Sequence, residues 1–397
     1  MKKQLSVFVA ACAGMLLFGA ALITLGAVAT DLKTKFNLDG IAAGTLFSIL
    51  PFGILTGSLL FGPVGDRFGY KALFIFACVG IFCGFEGIAY SASLLALNIS
   101  IYLFGLGGGI INGAANAALS DISPENKGAD LSLLGVFYGL GALGMPLAVG
   151  LLSKRLPSFS IVAAMGWLTL LVGIYYAFVN FPAGKQMAGK KAPVKNLFRR
   201  LLLLAAFFLF FQSSFEAIIN NWATTYLIVR QGMSEDTALY GLSLHIAGMV
   251  VMRLLTGSLF RRISAMKIMQ ASMLMLALGV ALMQASGEWI IMSGLILSGA
   301  GAAGGFPLML GLVGSRFKEL SGTAFSFVFG AALMGNMAVN YLMGIIVEKY
   351  GIRHLTAAAY AEIIIMCVLL FIIIQNLKSN LNLNLCRQNN GSATQEA

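Results

Sequence analysis

Twelve apolar runs, each close to the length that crosses a bilayer, follow one another along this chain. Between their polar breaks they cover 5–29, 41–61, 72–91, 94–119, 131–152, 159–180, 201–227, 238–260, 267–286, 289–313, 323–347 and 355–376. A transmembrane helix needs about 20 mostly apolar residues. The expected fold is therefore an all-α membrane protein with twelve transmembrane helices. Composition agrees: 10% of the residues are charged, against about 25% in soluble domains. The 47 glycines suit helices that pack closely in lipid.

A net charge of +11 would point to nucleic acid in a soluble protein. Here the basic residues sit in short connections, where they set topology. With the N-terminus inside, 18 of the 26 Lys and Arg residues fall on the cytoplasmic side and 7 outside, with Arg253 within a run. Both termini are expected in the cytoplasm, in a bacterial-type inner membrane, with no nucleic-acid partner. The first run resembles a secretory signal, with Ala27-Val28-Ala29 as a cleavage-like site. Its apolar stretch is longer than the usual 7–15-residue signal core, so it reads as the first helix. Five scattered cysteines and two distant histidines offer neither metal spacing nor a disulfide framework.

The longest polar connection, 182–200, is rich in Gly, Pro and Lys and reads as a basic cytoplasmic linker. It divides the chain into a six-helix bundle at 1–181 and a second at 201–378. A polar tail, 379–397, is expected to be disordered. The halves match at nearly one offset. Gly62 falls on Gly257 at 195 residues; Gly128, Ser132 and Gly150 fall on Gly322, Ser326 and Gly344 at 194. Parallel repeats with a site near the midplane are one transporter architecture.

Between the second and third runs stands "GPVGDRFGYK". It resembles the G-x-x-x-D-R/K-x-G-x-R/K signature of the major facilitator superfamily through Gly62, Asp66, Arg67, Gly69 and Lys71; Tyr70 occupies a position open to a second base. The resemblance covers essentially the whole chain. It implies two six-helix bundles related by pseudo-twofold symmetry. It also implies that Asp66 reaches the start of helix eleven, at "SGTAFSF" from Ser321, in a contact that breaks during conformational change. A carboxylate at a helix N-terminus contributes about 0.3–1 kcal/mol. The second half keeps only "GSLFRRISAMK", with Arg261 where the acid would stand. The plainer alternative is a basic topology anchor, which Arg67 and Lys71 would satisfy without Asp66.

Inside the runs, polar residues recur at helical spacing. Gln212, Glu216 and Asn220 fall at i, i+4 and i+8, so they form one stripe of helix seven. An ionisable residue at such depth is a functional candidate by default; the alternative is a structural hydrogen-bonding cluster. Asn112 with Asn116 in helix four, and Asn336 with Asn340 in helix eleven, repeat the i, i+4 spacing. Paired amides suit a polyhydroxylated ligand, or serve as interhelical glue. Tyr138 and Trp222 are candidates to stack on a sugar ring, or to sit in packing or interfacial belts. Helix eight carries His245, which titrates in its free form near pH 6.5, and Arg253. The context of Arg253, "MRLLTGSL", resembles the helix-eight arginine common in the superfamily, which implies gating or coupling; the alternative is a snorkelling base. Glu86 and Glu362 read as acids reaching the interface.

"FEAIINNWATTYL" and "NGAANAAL" resemble elements of the fucose–galactose/glucose–proton symporter group. That resemblance implies proton-coupled sugar uptake by a chain expected to act as a monomer. Asn112 stands where the fucose permease pattern has an acid, which leaves Glu216 to carry the proton. The competing reading is drug or metabolite efflux, from "GVFYGLGALGMPLAVG" in helix five. That stretch resembles the antiporter glycine–proline motif but has Gly144-Met145-Pro146 where Gly-Pro is expected. No phosphate loop, catalytic triad or metal cluster appears, so neither an enzyme nor a cofactor is expected.

Overall fold

A computed structural model describes the backbone of residues 2–122, 127–181, 200–257, 263–316 and 321–393. Within these segments, the side chains of 2–3, 62–68, 120–122, 127–133, 257, 315, 321–323, 325–326 and 378–393 are not described. Helices follow the apolar runs: α1 (Lys2–Ala27), α2 (Ala29–Phe36), α3 (Gly40–Tyr90), α4 (Leu94–Ile122), α5 (Lys127–Leu152), α6 (Ser158–Phe178), α7 (Arg200–Gln231), α8 (Glu235–Gly257), α9 (Ala265–Leu282), α10 (Glu288–Arg316), α11 (Ser321–Tyr350) and α12 (Leu355–Ala393). Among the described residues, twelve stretches are long and apolar enough to cross a membrane. Every backbone amide placed in hydrocarbon must find a partner within the protein, and a helix supplies one from its own turn.

The second and third spans run together as α3. Their break is Gly69, at φ 75°, where a side chain would be strained and glycine is not. This break lies inside the signature stretch. The side chains of Gly62, Asp66 and Arg67 lie outside the described residues, as do the linker 182–199 and the degraded copy at 258–262. α11 begins at Ser321, where the sequence places a helix start.

Two expectations change at the ends of the runs. The first connection folds into the short helix α2, closed by Asn37 in the left-handed conformation, a usual helix stop. The tail expected to be disordered continues α12 as helix to Ala393; no proline interrupts the sequence there to stop it.

α1 packs on α4 and α5 in the first bundle, while α7 packs on α11 and α12, and α10 on α8 and α9, in the second. The bundles meet along α3–α11, α5–α8 and α1–α7. Glycine makes the approach close. A Cβ at Gly44 would stand 2.7 Å from the Asn340 carbonyl oxygen and 2.8 Å from the Gly344 Cα. Lipid offers no hydrophobic gain for helix association, so such contact supplies the van der Waals attraction.

Candidate functional site

The α7 stripe sits at the centre of the second bundle, beside α10. Gln212 is fully buried. Its Nε2 donates to Glu216 Oε1 at 3.1 Å and to the Ala302 carbonyl at 2.9 Å. Gln212 Oε1 and Asn220 Oδ1 are buried without a protein partner. Glu216 itself is only partly buried. The stripe therefore presents one partly accessible carboxyl on a positioned amide, while the acceptors of Gln212 and Asn220 are covered by neighbouring helices. Arg253 of α8 and the Tyr138 hydroxyl of α5 lie within electrostatic reach of Glu216. Arg253 Nε is buried and unpaired, so this base faces inward and is not simply snorkelling. Tyr138 packs at a tilt of 40° against Phe18 of α1, 5.6 Å between centroids. An acid, a base and a phenol from three helices and both bundles thus converge at mid-depth.

The remaining sequence candidates divide. Asn116 Nδ2 donates to the Asn112 carbonyl at 2.8 Å and to Asn112 Oδ1 at 3.1 Å, and both residues stay partly exposed. Asn336 is likewise partly exposed. Asn340 is fully buried: its Nδ2 donates to the Asn336 carbonyl and Oδ1, each at 3.0 Å, and its own Oδ1 accepts from Asn221 Nδ2 at 3.2 Å. This geometry is that of interhelical glue between α7 and α11. His245 is fully buried, with Nδ1 2.9 Å from Ser298 Oγ of α10 and Nε2 unpartnered.

Two acidic readings change, and the aromatic one resolves to packing. Trp222 is neither in an interfacial belt nor open to a ligand: it is fully buried in the seam, edge-on to Phe47 of α3 at 5.2 Å. Glu362 does not reach the interface. It is 5% exposed and contacts Ser214 of α7. Glu86 turns inward, partly buried against Gly166 of α6 with Oε1 unpartnered.

Sequence reasoning missed the contacts that join the bundles. Glu348 of α11 accepts from the Gly40 amide at 2.6 Å, at the first turn of α3, beside Asp39, which accepts from the Ala42 amide at 2.6 Å. Ser48 Oγ donates to the Met337 carbonyl at 2.8 Å and Thr224 Oγ1 to the Gly26 carbonyl at 3.2 Å. Ser153 Oγ donates to Asp236 at 2.7 Å, and Lys154 pairs with the same carboxylate at 3.6 Å. Lys33 of α2 donates to Thr225 Oγ1 at 3.3 Å and lies 4.8 Å from the Trp222 ring centre. Burial lowers its pKa to about 8. Each of these contacts between the bundles lies toward the α2 end. A separate surface cavity of about 570 Å³ lined by Gln231, Ser234, Thr237 and Glu288 lies at that end, about 22 Å along α7 from Glu216.

The sequence profile of the Major Facilitator Superfamily matches residues 8–283. The chain belongs to this superfamily. It is 25% identical over 211 residues to the protein TsgA homolog of Buchnera aphidicola subsp. Schizaphis graminum, covering 52% of this chain and 54% of that one. It is 26% identical over 267 residues to the glucose/mannose transporter GlcP of Bacillus subtilis, covering 62% and 64%. The chain thus spans less than two thirds of the length of either relative. Two solved structures share the superfamily fold at a TM-score of 0.77: the nucleoside transporter NupG (15% identity, 94% of this chain and 99% of that one) and a D-xylose-proton symporter (16%, 94% and 97%).

Proposed function

We propose that this superfamily member is a secondary transporter that couples inward proton flow to sugar uptake by alternating access. The observation that carries the reading is Glu216, a partly accessible carboxyl at mid-membrane, hydrogen-bonded to Gln212, within electrostatic reach of Arg253 in its own bundle and of Tyr138 across the bundle seam. A carboxyl at this depth is costly unless it works. Protonation of Glu216 frees Arg253 from its attraction, and release of the proton restores it. The proton thereby changes the electrostatics of the seam, and linkage requires proton and substrate to favour one another by the same factor.

The partly exposed amides Asn112, Asn116 and Asn336, with the Gln212–Glu216–Asn220 stripe beside them, suit a ligand rich in hydroxyl groups. Glucose and mannose for one relative, and D-xylose for one structural neighbour, support a sugar. Asn340 and His245 support this surface from within the bundle. With both termini cytoplasmic in a bacterial inner membrane, the α2 end is the outer one, and the described hydrogen bonds hold the bundles together there. The protein works as a monomer, with Asp66 as the latch at the opposite end.

The deciding experiment places purified protein in liposomes with radiolabelled glucose, mannose or xylose and an inward proton gradient. Accumulation of one sugar above equilibrium, abolished by a protonophore, is expected. Extrusion of a dye with no movement of any sugar would replace this reading with efflux.

A further inference from the structure

The second bundle buries another carboxyl that the transport reading does not use. Glu362 of α12 meets Ser214 of α7 in a hydrogen bond, and its Oε2 is buried without a partner. Ser214 Oγ also lies 3.0 Å from the Phe211 carbonyl. A serine hydroxyl has one proton and a carbonyl has none. If the hydroxyl proton goes to Phe211, the proton between Ser214 and Glu362 must come from the carboxyl. The alternative leaves an ionised, buried Glu362 with one oxygen uncompensated, which is far costlier than a neutral buried carboxyl, and it gains nothing at Phe211, whose carbonyl α7 already pairs within the helix. The elements packed on α12 are α7, α9, α11 and the Ile352–His354 turn. Their acidic, basic and histidine residues are Arg200, Glu216, Arg230, Lys267, Glu348, Lys349, Arg353 and His354, and no ion pair joins any described one of them to Glu362.

We infer that Glu362 is a resident carboxylic acid that donates to Ser214, which donates to Phe211, and so fixes the back of α7 against α12. Two residues turn a helix by about 200°, so Ser214 points away from Gln212 and Glu216 on either side of it. Glu362 is a positioning residue: it holds the helix that carries the proton-exchanging carboxyl but does not exchange a proton itself. The role of Glu216 rests on the proposed transport reading; the protonation of Glu362 does not.

Infrared spectroscopy of the purified protein, with no ligand, separates the two. A protonated carboxyl gives a carbonyl band that a carboxylate lacks. Glu362→Gln is expected to remove one such band at every pH from about 5 to 7, while Glu216→Gln leaves it in place. Ser214→Ala, which keeps the acid and removes its acceptor, is expected to retain the band and move it to higher frequency. No band lost in Glu362→Gln, a band that titrates within that range, or an unmoved band in Ser214→Ala would overturn the inference. In liposomes with radiolabelled glucose, Glu362→Gln, whose amide also donates to Ser214, is expected to keep pH-driven accumulation, and Glu362→Leu to slow counterflow severalfold. Counterflow without accumulation in Glu362→Gln would make Glu362 a proton carrier and overturn its positioning role. If wild-type protein moves no glucose, the infrared result still decides the protonation.

Discussion

Glu216 and Lys33 are both charged groups withdrawn from water, and each makes a prediction at the scale of a single side chain. Glu216→Gln fixes a neutral amide of similar size beside Gln212. It is expected to retain sugar–sugar counterflow, which needs no net proton movement, and to lose accumulation driven by a pH gradient; paired transport assays on one preparation measure both. Lys33 titrates at about 8 in this conformation, against 10.5 for a free lysine. Its proton is bound less tightly when the α2 end is closed, because closing removes water from the ammonium without supplying a carboxylate. Raising the pH through about 8 toward 10.5 therefore favours the closed end. Lys33→Met is expected to favour closure at neutral pH and to erase that pH dependence, read as the distance between spin labels at Asn37 and Lys349.

At the scale of elements, α11 carries two amides one turn apart with different surroundings. Asn336 is partly exposed and Asn340 fully buried between its neighbours. A hydrogen bond lost from a buried site costs about 1–3 kcal/mol, or roughly five- to 150-fold in an equilibrium. Asn336→Ala is expected to weaken glucose binding by a factor in that range with little change in melting temperature. Asn340→Ala is expected to do the reverse, because it strands Asn221 Nδ2. Binding calorimetry and thermal unfolding in detergent separate the pair. Helical spacing alone placed both amides on one face. It did not tell which would be covered, since that depends on how α7 lies across α11. The same limit applies to Trp222, open to packing, belt or ligand platform until Lys33 and Phe47 close over it.

For the whole molecule, the contact between Glu348 and Gly40 joins the bundles at the α2 end. It sets a carboxylate at the N-terminal turn of α3, where the helix dipole favours negative charge. Glu348→Gln keeps size and removes charge. It is expected to shift the population severalfold toward conformations open at this end, read by the same pair of spin labels, while leaving the melting temperature of the separate helices' packing nearly unchanged. Asp66→Asn tests the opposite end: slower cycling with intact substrate affinity is expected, from transport rate and equilibrium binding measured together.

The sequence by itself determined the number of membrane crossings, the all-helical class, the superfamily and the stripe containing Glu216. These follow from local rules: run length against bilayer thickness, backbone hydrogen bonds that only the chain can satisfy, and a period of 3.6 residues. Tertiary structure alone decided which polar residues meet. Glu348 with Gly40, Lys33 with Trp222 and Thr225, Glu362 with Ser214 and Arg253 near Glu216 pair residues on different helices, most of them far apart in the chain. In hydrocarbon a charge takes its meaning from the partner packed against it, and helix packing sets that partner through glycine contacts and side-chain shape rather than through spacing along one helix.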